Sequence, residues 1–182
     1  MSEPTDEVLM ERFIDGDGTA SASAFDALFT RHAPGVRSYL QRLTGSSAAA
    51  DDLTQVTFVS MVKGRARFQR GAKLKPWLYA IATNAARDAK RRTKFEGVTD
   101  EGVLPEPEPV AATERDPGLE KAVRAALDQL PEAQREAILM HRFEGLSFAE
   151  IALHAGVTES AVKVRAHRGY EKLRELLKGV WP

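Results

Sequence analysis

The chain has no cysteine, which excludes a disulfide framework and every thiolate metal site. Its four histidines, His32, His141, His154 and His167, are scattered and fall in no ligand spacing such as HExxH, so neither a metal site nor a cofactor is expected. No stretch approaches the run of about 18 apolar residues that a membrane span needs. The acidic start from Met1 to Asp15 lacks the basic and apolar segments of a secretory signal. The expectation is a cytoplasmic protein with no membrane insertion. Net charge is absent too, at zero over 182 residues.

That zero averages unlike parts. Residues 1–26 hold seven acids and one base, residues 27–95 fourteen bases and three acids, residues 96–116 seven acids and one base, and residues 117–182 ten bases and nine acids. A basic block between two acidic ones suggests a domain that binds a polyanion; the plainer reading is a solvated helix surface. With 43% hydrophobic residues, the chain has enough apolar side chains for a buried core.

Apolar residues recur at helical period almost throughout, and no segment alternates as a strand would, so an all-α fold is expected. The pattern stops where Pro105, Pro107, Pro109 and Pro117 fall among acids and small residues. This predicts a linker over 96–118 between two small helical domains, 1–95 and 119–182. In the first, Phe25, Leu28, Phe29 and His32 share one face, followed after Pro34 by Val36, Tyr39, Leu40 and Leu43. A third helix spans about 49–63, with Leu53, Val56, Thr57, Val59 and Ser60 toward one side and Asp51, Asp52 and Gln55 toward another. A fourth starts near Pro76, which suits a first turn, and ends on Lys90-Arg91-Arg92.

The sharpest local signal runs from Phe148 to Val162. Ser147 and Glu150 have capping-box spacing, Ala152 permits a close helix crossing, Gly156 supplies a turn with positive φ, and Thr158 begins a second helix. Ile151, Val157 and Val162 converge between the two. This is helix-turn-helix spacing, and the following helix offers hydrogen-bond donors at Lys163, Arg165, His167, Arg168, Lys172 and Arg174. A helical hairpin with a solvated basic face is the competing interpretation. Upstream, Leu130-Pro131 leads into Gln134 to Met140, an amphipathic helix suited to pack beneath this pair.

Together the modules resemble the extracytoplasmic-function sigma factors of the sigma-70 family, over roughly residues 9–177. Asp15-Gly-Asp-Gly18, Ala24 to Phe29, Ala50 to Phe58 and Lys75 to Arg92 resemble sigma region two. Leu130 to Glu136, Gly145 to Ala152 and Ala161 to Arg165 resemble region four. Two departures stand out: Thr83 precedes Asn84 where arginine is common, and Ser60-Met61-Val62 lacks a frequent tryptophan.

The resemblance implies an alternative sigma factor: a non-enzymatic subunit that binds core RNA polymerase and directs promoter-specific initiation, serving a stress or envelope response. It implies polymerase contacts at Asp51, Asp52, Gln55 and Phe58. Helix capping by the acids is the rival explanation, whereas catalysis lacks any accompanying nucleophile or metal ligand. It implies minus-ten recognition by the segment from Phe68 to Asn84. There Arg65, Arg67, Arg70, Lys73 and Lys75 would meet the separated backbone, and the loop Gln69 to Leu74 would edge a pocket for an unstacked base. Trp77 and Tyr79 either stack on bases or belong to the core; Arg87, Lys90, Arg91 and Arg92 suit duplex phosphates. Ser160, Ala161, Lys163, Val164, His167 and Arg168 would lie nearest the minus-thirty-five bases or their phosphates, with Arg165 and Lys172 on backbone. The implied partners are core polymerase, promoter DNA and an anti-sigma factor clamped between the modules, with no small-molecule substrate. Two other classes remain: a dimeric helix-turn-helix regulator with a ligand-sensing front module, against which the front module's positive charge argues, and a helical nucleic-acid hydrolase, against which the missing metal spacing argues.

Overall fold

A computed structural model of the chain describes residues 3–95 and 117–180. Among them are eight α-helices and no strand. The first, α1 (Asp6–Asp15), is capped by the Thr5 side chain accepting the Val8 N–H, with Asp6 and Glu7 in its first turn, where acids suit the helix dipole. It buries Leu9, Met10 and Phe13, so the acidic N-terminal segment is anchored by an apolar stripe.

Helix α2 (Gly18–Thr44) continues through Pro34. Proline deletes one helical hydrogen bond, but Leu28 and Val36 on either side are both fully buried, and packing carries the helix across the gap. Gly45, at φ 74°, ends it. Ser46 accepts the Ala49 N–H and starts α3 (Ser47–Gly64), two residues before the expected start. After a 3-10 turn at Arg65–Arg67 and a loop, α4 (Leu74–Phe95) begins with Pro76 in its first turn. Met10, Leu28, Tyr39, Leu40, Met61 and Leu78 form the centre of this module.

The second module holds α5 (Pro117–Asp128), α6 (Glu132–Arg142), α7 (Phe148–Ala155) and α8 (Glu159–Leu176). Pro117 opens α5 rather than closing a linker, because proline lacks only an N–H that a first turn leaves unpaired anyway. The rest of the expected linker, residues 96–116, lies outside the described residues. Where α6 crosses α8, a Cβ on Gly169 would sit 2.6 Å from Ile138 Cδ1, so glycine there sets the close approach.

The modules are not separate bodies. α4 packs on α7, and α2 on α6, which brings the basic first module against acids of the second.

Candidate nucleic-acid and polymerase interfaces

On α3 the buried side chains are Ala50, Leu53, Thr54, Thr57, Phe58 and Met61, a stripe of i, i+3 and i+4 spacings. Phe58 is 3% exposed and packs edge-on to Phe29 at 4.8 Å and Phe25 at 6.3 Å. It is therefore a core residue, and the expectation that it touches a partner is overturned. The opposite stripe carries Asp52, Gln55, Val56 and Val59, all exposed. Val56 and Val59, expected on one side with Leu53 and away from Asp52, stand 46% and 51% exposed beside Asp52 instead, because three- and four-residue steps from Asp52 lead to them. Capping does not explain the acids: Ser46 is the cap and the first turn holds none. Asp51 is exposed and accepts Arg37 Nε at 2.5 Å, joining α3 to α2.

Arg67, Arg70 and Lys73 are exposed on the stretch before α4, and Gly71 turns the loop at φ 76°. Trp77 is half-buried and packs edge-on to Phe68 at 5.1 Å. Tyr79 is only 1% exposed, which overturns base stacking by that ring. Its neighbour on the helix face, Thr83, is 2% exposed; it donates to the Tyr79 carbonyl and meets the Tyr39 hydroxyl, each at 2.8 Å. An arginine could not occupy that site without burying its charge. Burial is the main cause that raises the ionisation of Tyr39 and Tyr79 well above the ordinary phenol range. Asn84, Lys90, Arg91 and Arg92 are exposed, and Lys75 and Arg87 half-buried.

The helix-turn-helix is built as its residues require. Ser147 and Glu150 form both arms of a capping box, Gly156 turns at φ 65°, and Thr158 accepts the Ala161 N–H. Ile151 and Val162 are buried between α7 and α8, with Val157 packed beside them. The outer face of α8 presents Ser160, Lys163, Val164, His167, Arg168 and Lys172, all exposed. Lys163 pairs with Glu159 at 2.7 Å and Lys172 with Glu175 at 3.4 Å. Such surface pairs are weak and exchange readily for phosphates. Ala161 and Arg165 are half-buried, and Arg165 turns into a cleft between the modules that Thr83, Asn84 and Arg87 line from α4 and Glu136 and His154 from the other side. Burial pushes the His154 imidazole below its ordinary value.

Four of the first module's expected DNA contacts are engaged by the second module. Arg87 meets Glu136 in a bidentate pair through its Nε and Nη2, the Nε contact at 2.9 Å, and the Glu136 side chain is 6% exposed. Lys90 reaches Glu132 at 2.6 Å, Lys73 reaches Glu150 at 2.9 Å, and Lys75 donates to the Glu144 carbonyl at 2.5 Å. The Glu144 carboxylate, after burial, helps to raise the Tyr79 hydroxyl's ionisation, and a Cβ on Gly35 would lie 2.8 Å from that hydroxyl. Arg42 lies over the Phe143 ring at 4.6 Å. Within the first module, Asp15 binds both terminal nitrogens of Arg70 at 2.5 and 2.6 Å. The hydrogen bond to Arg70 is the chief reason the Asp15 carboxyl is held below its usual range, and likewise Lys90 lowers Glu132 and Lys73 lowers Glu150. Glu132, Glu136, Glu144 and Glu150 were not singled out as partners of these bases. The one sequence hint is the i,i+4 pair Glu132 and Glu136, which complements Arg87 and Lys90.

The Sigma-70 region 2 family profile matches residues 28–96 and the Sigma-70 region 4 profile residues 120–173. The RNA polymerase sigma factor CarQ of Myxococcus xanthus is 43% identical over 169 residues, covering 92% of this chain and 95% of its own. The ECF RNA polymerase sigma factor SigE of Mycolicibacterium smegmatis is 34% identical, covering 96% and 70%. Among solved structures, the sigma factor RpoE of Bartonella quintana, in complex with the anti-sigma factor NepR, superposes with a TM-score of 0.73 at 28% identity, covering 85% of this chain and 96% of that one. An exposed basic helix behind a glycine turn, a second basic module ahead of it, both family profiles and a relative 43% identical over 95% of its own length converge: the chain belongs to the extracytoplasmic-function group of sigma-70 factors, the non-catalytic subunits that give RNA polymerase its promoter specificity.

Proposed function

We propose that this sigma factor divides promoter reading between residues 1–95 and 119–182, joined by the segment 96–118. The observation that carries the upstream half is the outer face of α8, where Ser160, Lys163, Val164, His167 and Arg168 are exposed together. A helix entering the major groove places such a row against base edges. Lys163 and Arg168 can donate to guanine, and Val164 offers an apolar contact to a thymine methyl. Ala161, Arg165 and Lys172 then approach backbone. In the downstream half, Arg67, Arg70, Lys73 and Lys75 hold the unwound minus-ten strand, Trp77 and Asn84 border the base pocket, and Arg87, Lys90, Arg91 and Arg92 meet duplex phosphates.

The polymerase-facing surface is the α3 stripe of Asp52, Gln55, Val56 and Val59 with Asp51 at its edge, in which acids give orientation and the two valines bury area. A similar solved sigma factor, RpoE, is bound to the anti-sigma factor NepR. An anti-sigma partner for this chain, action in the cytoplasm and a stress or envelope response follow as parts of the same proposal. The test is run-off transcription with core polymerase on genomic fragments. Transcripts should need both components. Lys163→Ala and Arg168→Ala should each lower promoter use by roughly 1–3 kcal/mol, with base preference relaxed at one position. Transcription by core polymerase alone, or none with both present, refutes it.

A further inference from the structure

Asp15 stands where an acid gains nothing from its own helix. It is the last residue of α1, and a carboxylate at a helix C-terminus meets the negative end of the dipole. Its partner lies 55 positions away in sequence: the two carboxylate oxygens accept from the two terminal nitrogens of Arg70, at 2.5 and 2.6 Å. The platform that presents Asp15 is fixed. Phe13 is buried against Phe25 at 5.4 Å, with Arg65 over its ring at 5.5 Å. The Phe13 carbonyl accepts the Ser21 hydroxyl at 2.7 Å, and a Cβ on Gly16 would collide with the Arg12 carbonyl and the Ser21 amide, so α1 ends tightly against the start of α2.

The loop that carries Arg70 is held at its ends. Phe68 and Leu74 are buried and Ala72 packs on the core, while Gln69, Arg70, Gly71 and Lys73 are exposed. Exposed side chains take their direction from their partners, and the acids of α1 supply one. Glu7, Glu11 and Asp15 recur every four residues along one stripe of the helix. The Asp15 hydrogen bond, with the field of Glu11 behind it, holds Arg70 more firmly protonated than an ordinary guanidinium; at Lys73 the Glu150 hydrogen bond is joined by the field of Glu7.

We propose that Asp15 is a positioning residue for minus-ten recognition: from the end of α1 it fixes the direction of Arg70, and with it the loop Gln69 to Leu74, so that the base pocket keeps one shape. The proposal rests on the assignment of that loop to the edge of the pocket. An end-on carboxylate takes one edge of the guanidinium and leaves its remaining N–H donors for a phosphate or a base. Arg70 is thus aimed rather than occupied. An arginine already held has given up its rotamer freedom before DNA arrives, whereas a loose one must lose it on binding.

The absence of cysteine allows a single label. A nitroxide is attached at Gln69→Cys, exposed beside Arg70, and its line shape is read in the full chain without polymerase. Unlabelled chain with core polymerase is assayed in parallel by run-off transcription, on a promoter recovered from genomic fragments with each minus-ten base changed in turn. Asp15→Asn keeps the size and removes the charge. Asp17→Asn is the control, the same change two residues on, where the side chain makes no capping bond. Asp15→Asn should narrow the label's spectrum and lower the preference at one minus-ten position by a factor of about two to five, the contribution of an exposed bidentate pair. Preferences at the other positions should stay, and the control should match wild type in both readouts. In an Arg70→Ala background Asp15→Asn should change neither readout further. Circular dichroism should show full helix throughout. An unchanged label in Asp15→Asn overturns the positioning and leaves the loop's promoter assignment standing. A freed loop with unchanged preference overturns the proposal and that assignment together. An equal loss at every position, the same effect from Asp17→Asn, or a further change in the Arg70→Ala background shows that Asp15 acts by another route and overturns the proposal. No transcript from any fragment refutes the promoter reading and the proposal with it, while the label still reports the pairing.

Discussion

Thr83 provides the strictest test of how α2 holds α4 in place. Tyr39 is fully buried and Thr83 is 2% exposed, with their hydroxyls 2.8 Å apart. Thr83 spends its single proton on the Tyr79 carbonyl, so the Tyr39 O–H must be the donor of the pair. The two substitutions are then unequal. Tyr39→Phe removes a donor and leaves Thr83 with its other bond, costing about 1 kcal/mol. Thr83→Val keeps the β-branched shape but strands a buried phenol hydroxyl without an acceptor, costing roughly 1–3 kcal/mol. With both made together the orphan disappears, so the double variant should cost less than the sum by about 1 kcal/mol or more. The assay is urea unfolding followed by Trp77 fluorescence in a Trp181→Phe background, with the slope against denaturant checked for constancy. A Thr83→Val variant no less stable than Tyr39→Phe, or strictly additive costs, would refute the claim that this hydroxyl pair is dry.

Alanine at Asp51, Asp52 and Gln55 should weaken capture by core polymerase while leaving helix content intact, because Ser46 rather than either acid caps α3; lost ellipticity at 222 nm would contradict this. Gly156→Ala should destabilise the second module by roughly 1–2 kcal/mol, since the turn holds φ 65° where an L side chain is strained; thermal melting reads it, and a neutral result would mean the turn rearranges. Acid should weaken the contacts of Lys90 with Glu132 and of Lys73 with Glu150. Glu132 faces Lys90, Arg87 and Arg135, and Glu150 faces Lys73 and the Ser147 cap, so both carboxyls titrate lower than usual when docked. Their contribution to these contacts is present above the ordinary glutamate value, about 4.3, and is lost as pH falls through the depressed folded values; energy transfer between dyes on the two modules, read against pH, should follow that order, and a rise on acidification would reverse the sign.

Much of this was legible in one dimension. The capping box at Ser147 and Glu150, the turn at Gly156 and the basic outer row from Lys163 to Arg168 depend on contacts within about a turn or two of helix, and short-range rules read them correctly. Phe58 and Tyr79 show the limit: each is an aromatic beside functional residues, and only the angle at which its helix meets the next decides whether the ring faces partner or core. The course of α2 through Pro34 is of the same kind, because packing on both flanks outweighs a local penalty that sequence rules see alone.

The all-helical character and the two basic surfaces were thus legible in the chain's own periodicity and charge, since these are properties of neighbours in sequence, and the order of its motifs carried the family resemblance. Which face of α3 is exposed, why Thr83 stands where it does, and which acids cover Lys73, Lys75, Arg87 and Lys90 were decided by tertiary structure. Those pairings join residues from 42 to 77 positions apart, and no local pattern specifies a partner at that distance. Burial and charge complementarity do so only once the helices have met.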